Sequence, residues 1–209
     1  MTHQTKESLI AFEAHIRDLF ADGELPFLIH LCGGNEEHLI DIFQEVKSGD
    51  WLFSSHRSHY HYLLAGGSPA RLEQLIRDGR SMFVFDRAKN FLTSSVLAGT
   101  CGIAAGVALS IKLQGGGQHV WCFLGDGGED EGHFYEAAIF VEGSQLPCTF
   151  IVEDNDRSVD TSISLRRGPH WKNPWENFKC VKRYDYKPTW PHGGAGLKTM
   201  VTFKNPHPR

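Results

Sequence analysis

An apolar run, His119 to Leu124, leads directly into Gly125-Asp126-Gly127-Gly128-Glu129-Asp130-Glu131-Gly132. A helical pattern follows, with Phe134, Ala137, Ala138 and Val141 on one face, and a second apolar run, Cys148 to Val152, ends at Asp154-Asn155-Asp156. Apolar runs of this length bounded by turn residues read as strands, and the intervening period reads as a helix. The stretch therefore predicts a βαβ unit with a polar group at the C-terminal end of each strand. In an open parallel sheet those ends lie side by side and border the crevice where ligands bind.

The residues at those two ends have a chemistry in common. The carboxylate of Asp126 and the side-chain amide of Asn155 offer hard oxygen donors, and the backbone carbonyl of Arg157 could add a third. Hard oxygens in small number suit Mg²⁺, which keeps waters and phosphate oxygens in the rest of its shell. Gly127 and Gly128 let a backbone approach a phosphate closely, and a helix start behind them directs N–H groups toward it. The stretch thus reads as a metal–diphosphate clamp, against the simpler alternative of a glycine turn with an asparagine cap.

Around this unit, Ser8 to Phe20 reads as an amphipathic helix, Glu36 to Lys47 as a second and Pro69 to Arg77 as a third, capped by Ser68. Trp51-Leu52-Phe53 is a short strand that delivers the polar cluster Ser54 to His61. Ser81 to Ser95 lacks a period and reads as loop. Gly99 to Leu113 is a helix of small residues, and Leu197 to Phe203 a last strand. The 209 residues suffice for one α/β domain spanning 1–209, of which 161–209 is the divergent C-terminal portion. A net charge of −4 argues against a nucleic-acid surface, and no apolar run reaches the roughly 20 residues of a membrane span. Five scattered cysteines and the absence of a signal pattern fit reduced thiols in a cytoplasmic protein.

Several landmarks in order resemble one family. Gly-Asp-Gly at 125–127 with Asn155 one strand later resembles the thiamin-diphosphate motif, and Glu131-Gly132, Phe134 and Glu136-Ala137 extend the likeness to the α subunits of 2-oxo acid dehydrogenase E1 components. Upstream, His30-Leu31-Cys32-Gly33-Gly34-Asn35-Glu36 is similar to that family's H-x-x-x-G-Q-E segment. His56-Arg57-Ser58-His59-Tyr60-His61 is similar to its Y-R-x-H-G-H segment, and Ser81-Met82-Phe83 to Phe91 to its S-M-H…D…K-N-F segment. The small-residue segment Thr93 to Ala108 also matches.

The resemblance implies a three-layer α/β/α fold with a mainly parallel sheet, the diphosphate-binding domain of a thiamin enzyme. It implies thiamin diphosphate and Mg²⁺ as cofactors, with Asp126, Asn155 and the Arg157 carbonyl as metal ligands. Arg57, Gly125, Gly127 and Gly128 would border the diphosphate, and the backbone at Ser95 and Leu97 the aminopyrimidine. His30 and His59 would face the thiazolium as acid–base or substrate-orienting groups. The activating glutamate of such enzymes lies on a pyrimidine-binding domain that nothing after residue 160 resembles. A β-type partner subunit is therefore expected, in an α2β2 heterotetramer acting on a small carbonyl substrate.

The sequence departs from the family pattern at His56, Tyr60 and Phe83. Asp154-Asn155-Asp156 with Val159-Asp160 resembles the transketolase form of the same strand end. Three readings stay open: a transketolase-like or decarboxylating ketol/acyl-transfer subunit, an E1 α subunit of a dehydrogenase complex, and a non-catalytic cofactor-binding or regulatory subunit. The basic stretch Arg166 to Arg183 is expected either to take an anionic substrate or to form a solvated or subunit-facing surface.

Overall fold

The structure, a computed structural model, describes residues 4–25, 28–159 and 161–193. The strand expected over Leu197 to Phe203 lies outside the described residues. Helices α1 (Lys6–Ala21) and α2 (Glu36–Glu45) precede strand β1 (Trp51–Ser54), then α3 (His59–Leu64) and α4 (Pro69–Arg77). Strands β2 (Phe85–Asp86) and β3 (Phe91–Thr93) follow, then α5 (Cys101–Leu113), β4 (Val120–Gly125), the single turn α6 (Asp126–Glu129), α7 (Gly132–Gly143) and β5 (Cys148–Asp154). The small antiparallel pair β6 (Arg157–Ser158) and β7 (Thr161–Ser162), the short α8 (Ile163–Arg167) and β8 (Val181–Asp185) complete the elements.

The main sheet has six strands in the order β2-β3-β1-β4-β5-β8, all parallel except β2, which runs antiparallel to β3. Alternate residues of the central strands feed two cores. Leu52, Phe91, Trp121, Phe123 and Ile151 pack under α1 to α4, while Phe53, Cys122, Leu124, Phe150 and Val152 pack under α5 and α7. The result is the expected α/β fold with a layer of helices on each face of a mainly parallel sheet. Helix α1 starts at a capping box, Thr5 with Ser8, and α4 starts at the Ser68 cap with Pro69 behind it.

Chain order places the crevice. From β1 the chain moves outward to β3, and it then returns across to β4 on the other side of β1 before moving on to β5 and β8. The order reverses between β1 and β4, so the loops leaving these two strands diverge and leave a gap at their C-terminal ends. Gly125 of β4 pairs with Glu153 of β5, which sets Asp126 and Asn155 on neighbouring strand ends.

Three segments differ from the sequence expectation. The stretch Ser81 to Ser95, read as loop, supplies β2 and β3; β3 has only three residues, too few to show a period, yet pairs Phe91 to Thr93 with Leu52 to Ser54. The polar cluster after β1 is partly helical, and His59, Tyr60, His61 and Tyr62 are buried in α3. The basic stretch contains β8, whose Val181-Lys182-Arg183-Tyr184-Asp185 hides its strand character because it borders the sheet. All five cysteines are buried and unpaired, as expected. Among the described residues no helix is long and apolar enough to cross a membrane.

Candidate functional site

The gap between the strand ends is a cleft of about 230 Å³. The loop after β1 gives it Ser55, His56 and Arg57; the segment before α5 gives Ser95, Leu97 and Ala98; the turn after β4 gives Gly125, Asp126, Gly127 and Gly128. The segment after β5 adds Asn155, Arg157, Ser158 and Val159, and His30, Met82, Glu153, Tyr186 and His192 close the walls. Every candidate cofactor-binding, metal-ligating or acid–base residue expected from the sequence lines this cleft except His59.

His59 points the other way. It sits on α3 with no exposed surface, between α1 and the Ser81 turn. Its Nδ1 donates to Glu13 at 2.9 Å, leaving Nε2 to accept from the Ser81 hydroxyl at 2.9 Å. The structure therefore does not bring His59, expected to face the thiazolium, into the cleft with the other candidates: at the start of α3 its side chain enters the core under α1, where it hydrogen-bonds the buried Glu13 carboxylate.

At the strand ends, Asp126 is 1% exposed. Burial raises its pKa; the Arg166 guanidinium works against this, and neighbouring Asp154 works with it. Arg166 reaches back from α8 to contact both the Asp126 carboxylate and Asp130. Arg167 donates to Glu129 at 2.7 Å and to the Asp126 carbonyl at 2.9 Å. Arg183 of β8 joins Glu129 and, at 2.5 Å, Asp154. The basic stretch is thus neither a free surface nor an open substrate patch at these three residues, which pair inward with the acids of the glycine turn. A cation already contacts the carboxylate that the sequence marks as a metal ligand, so this donor set attracts positive charge.

Asn155 accepts the Arg157 N–H through its side-chain oxygen at 3.0 Å, a turn that brings the Arg157 backbone beside Asn155. Gly127 has no room for a side chain: a Cβ there would lie 2.5 Å from Ser158 Oγ. The close approach demanded of Gly127 is thus made by the β6 turn, which folds onto the glycine. The Leu97 carbonyl accepts from His133 Nε2 at 2.7 Å, anchoring the segment before α5 to the start of α7.

At the other wall, Gly34 has φ +95°, and a Cβ there would fall 2.0 Å from the Lys187 carbonyl. Only glycine lets the chain after β8 cross here, and that crossing delivers His192 to the cleft. His30 Nδ1 donates to the His192 carbonyl at 2.8 Å, and Arg57 Nη2 donates to the same oxygen at 3.3 Å. Burial lowers the His30 pKa to about 4, opposed by the His192 bond and aided by Arg57, so the ring is neutral near pH 7. With Nδ1 carrying the proton, Nε2 holds the lone pair. His56 is lowered to about 2, again mainly by burial, with His30 next in effect.

Behind the β5 end, Glu153 Oε1 accepts from Asn35 Nδ2 at 2.9 Å, from Tyr184 at 2.5 Å and from His61 Nε2 at 3.2 Å. Ser54 lies 2.7 Å from the other His61 nitrogen. This buried network ties α2, α3, β1, β5 and β8 together beneath the cleft. His192 and Tyr186 gave no sequence signal, because the strand that brings them into place was itself hidden.

A family model described as "Dehydrogenase E1 component" matches residues 6–169. The α subunit of acetoin:2,6-dichlorophenolindophenol oxidoreductase from Cupriavidus necator is 29% identical over 161 residues, covering 72% of this chain and 48% of the relative. The pyruvate dehydrogenase E1 component subunit α from Rickettsia typhi is 32% identical over 163 residues, covering 73% and 50%. The Bacillus subtilis acetoin:2,6-dichlorophenolindophenol oxidoreductase subunit α is 28% identical over 166 residues, covering 73% and 49%. The chain spans about half the length of the curated relatives it matches. The chain belongs to the dehydrogenase E1 component family.

Proposed function

We propose that this chain is the α-type half of a heteromeric thiamin-diphosphate enzyme that makes or breaks a C–C bond beside a carbonyl. The observation that carries the reading is the convergence in one cleft of the Asp126 carboxylate, the Asn155 side chain, the Arg157 backbone and the Arg57 guanidinium. Asp126, Asn155 and the Arg157 carbonyl would hold Mg²⁺, a set of hard oxygens suited to a small cation that bridges to phosphate. Arg57 would pair with the diphosphate through its planar fork, and the backbone around Gly125, Gly127 and Gly128 would border it. The Ser95 and Leu97 backbone would face the aminopyrimidine. When bound, the cofactor supplies a nucleophilic carbon and an electron sink for cleavage beside a carbonyl.

The protein's own part is positional and acid–base. His30, neutral and fixed by the His192 carbonyl, presents Nε2 as a proton acceptor at the cleft. The polar network on Glu153 keeps the β5 end rigid. The relatives named as pyruvate dehydrogenase and acetoin oxidoreductase α subunits support a 2-oxo acid or an acyloin as the donor.

A second subunit completes the enzyme in this reading. Helix α5 turns its alanines inward, while the positions of Gly102 and Gly106 open onto empty space beside exposed Ile103. On α7, Ile139 and Phe140 are exposed as well. Such a face suits close packing by a β-type subunit in an α2β2 heterotetramer.

The test is an assay of the full chain together with its copurifying subunit, Mg²⁺ and thiamin diphosphate. Reduction of an artificial electron acceptor by a 2-oxo acid or acyloin is the expected result. Transfer from a ketose donor alone would move the reading to the transketolase-like class, and no turnover with either would leave a cofactor-binding or regulatory subunit.

A further inference from the structure

The cleft holds a second donor set that the proposed oxygen clamp does not use. His30, His56 and His192 come from three separate segments: the stretch before α2, the loop after β1 and the crossing after β8. One ring nitrogen from each lies within 4.8 Å of the others. Among the described residues this is the one group of three or more metal-ligating side chains that converges so closely. The ring centroids are 4.6 Å apart for His30 and His56, 4.9 Å for His30 and His192, and 5.8 Å for His56 and His192.

We propose that His30, His56 and His192 form a metal site for a borderline transition cation of the Zn²⁺ type, distinct in chemistry from the hard-oxygen set at Asp126 and Asn155. Three imidazoles with a further position open to a cleft are the donor set of three-histidine zinc centres. Imidazole nitrogen ranks such cations above Mg²⁺, which prefers oxygen. The second feature is orientation. A ligating histidine donates its other ring N–H to a carbonyl or carboxylate, which fixes the tautomer. His30 already does this through Nδ1 and the His192 carbonyl at 2.8 Å, so its lone pair is on Nε2.

Zn–N bonds of about 2.0–2.1 Å require the nitrogens to close to roughly 3.4 Å of one another in a tetrahedron, about an ångström of movement per ring. Arg57, which shares the His192 carbonyl, opposes a cation here, while the buried carboxylate of Glu153 on the same cleft favours one. A bound ion would cross-link the crossing after β8 to the β1 loop and occupy the His30 lone pair.

The proposal does not rest on the cofactor reading, and its test uses metal alone. The full chain, stripped with a chelator, is titrated with Co²⁺ followed by visible absorption, and with Zn²⁺ by calorimetry. The expected result is one site per chain with the absorption of low-symmetry Co²⁺. Affinity should fall at least about tenfold in His56→Phe and in His192→Ala, remain unchanged in His15→Ala on the surface of α1, and withstand excess Mg²⁺. His192→Ala keeps the main-chain carbonyl that His30 and Arg57 bond, so it probes the ligand without removing that support. Absence of a site in the wild type, or equal Zn²⁺ affinity in both cleft variants, overturns the proposal; the latter would place the ion elsewhere, for instance on a cysteine.

Discussion

The guanidinium of Arg166 lies against the carboxylate of Asp126, joining α8 to the first residue after β4. Asp126 is almost fully buried, so this cation stabilises a charge that water cannot reach. The same carboxylate is the proposed Mg²⁺ ligand, and guanidinium and metal therefore compete. Arg166→Ala should lower the stability of the metal-free chain by about 1–3 kcal/mol, as expected when a buried carboxylate loses a charged partner. The rise in Tm on adding Mg²⁺ and thiamin diphosphate should then be larger than for the wild type. Thermal denaturation with and without the ligands measures both; an unchanged shift would separate Arg166 from the metal site.

His59 and Glu13 form a second buried polar contact, remote from the cleft. His59→Leu leaves the Glu13 carboxylate buried and unpaired, and should cost about 3–5 kcal/mol in urea denaturation. The double substitution Glu13→Leu with His59→Leu should cost less than the sum of the single ones, because it removes both polar partners. Cofactor affinity of the folded fraction should be unaffected by either.

Gly127 is pinned by Ser158. Gly127→Ala brings its Cβ to 2.5 Å from the serine oxygen and should destabilise by about 1–3 kcal/mol. Ser158→Gly in the same chain should recover most of that loss in an equilibrium unfolding curve. If it does not, the strain comes from another neighbour.

On α5, Gly106→Ala meets nothing within 4 Å. Helix propensity alone should stabilise the isolated chain by about 0.5–1 kcal/mol. The same substitution should weaken association with the partner subunit, and Gly106→Leu more so, in analytical ultracentrifugation of the mixture. Association left unchanged by both substitutions would contradict the packing role given to this face.

Acid should loosen the cleft. His30 has a folded pKa of about 4 against an ordinary 6.5, because burial disfavours its charged form, with Arg57, His192 and His59 adding repulsion and the His192 carbonyl opposing. Between those values the unfolded chain binds the extra proton and the folded chain does not. Stability present above pH 6.5 is therefore lost as pH falls toward 4, at up to about 1.4 kcal/mol per pH unit for this group. His30→Gln should flatten that slope in metal-free chemical denaturation run across the window.

The βαβ unit was legible because its two strands are buried on both faces and so read as unbroken apolar runs, and because the glycine turn between strand and helix leaves little other choice. The placement of Asp126 beside Asn155 followed from strand adjacency alone. What stayed hidden was set by long-range packing. Strand β3 takes its conformation from pairing with β1, and β8 borders β5 with Lys182, Arg183 and Asp185 among its five residues, which leaves no apolar run to read. His192 reaches His30 across 162 residues only because Gly34 lets the chain cross there. His59 carried a motif signal, but the motif could not tell which face of a short helix it would occupy.

Mg²⁺-dependent binding of thiamin diphosphate, measured by isothermal titration of the full chain with its partner subunit, tests the proposed clamp most directly. Binding should require Mg²⁺ and weaken at least about tenfold in Asp126→Ala and in Asn155→Ala, while Lys112→Ala on the far end of α5 leaves it unchanged. No binding by the wild type, or binding of equal strength in the Asp126→Ala chain, would contradict the assignment of the β4 and β5 ends as the metal–diphosphate clamp.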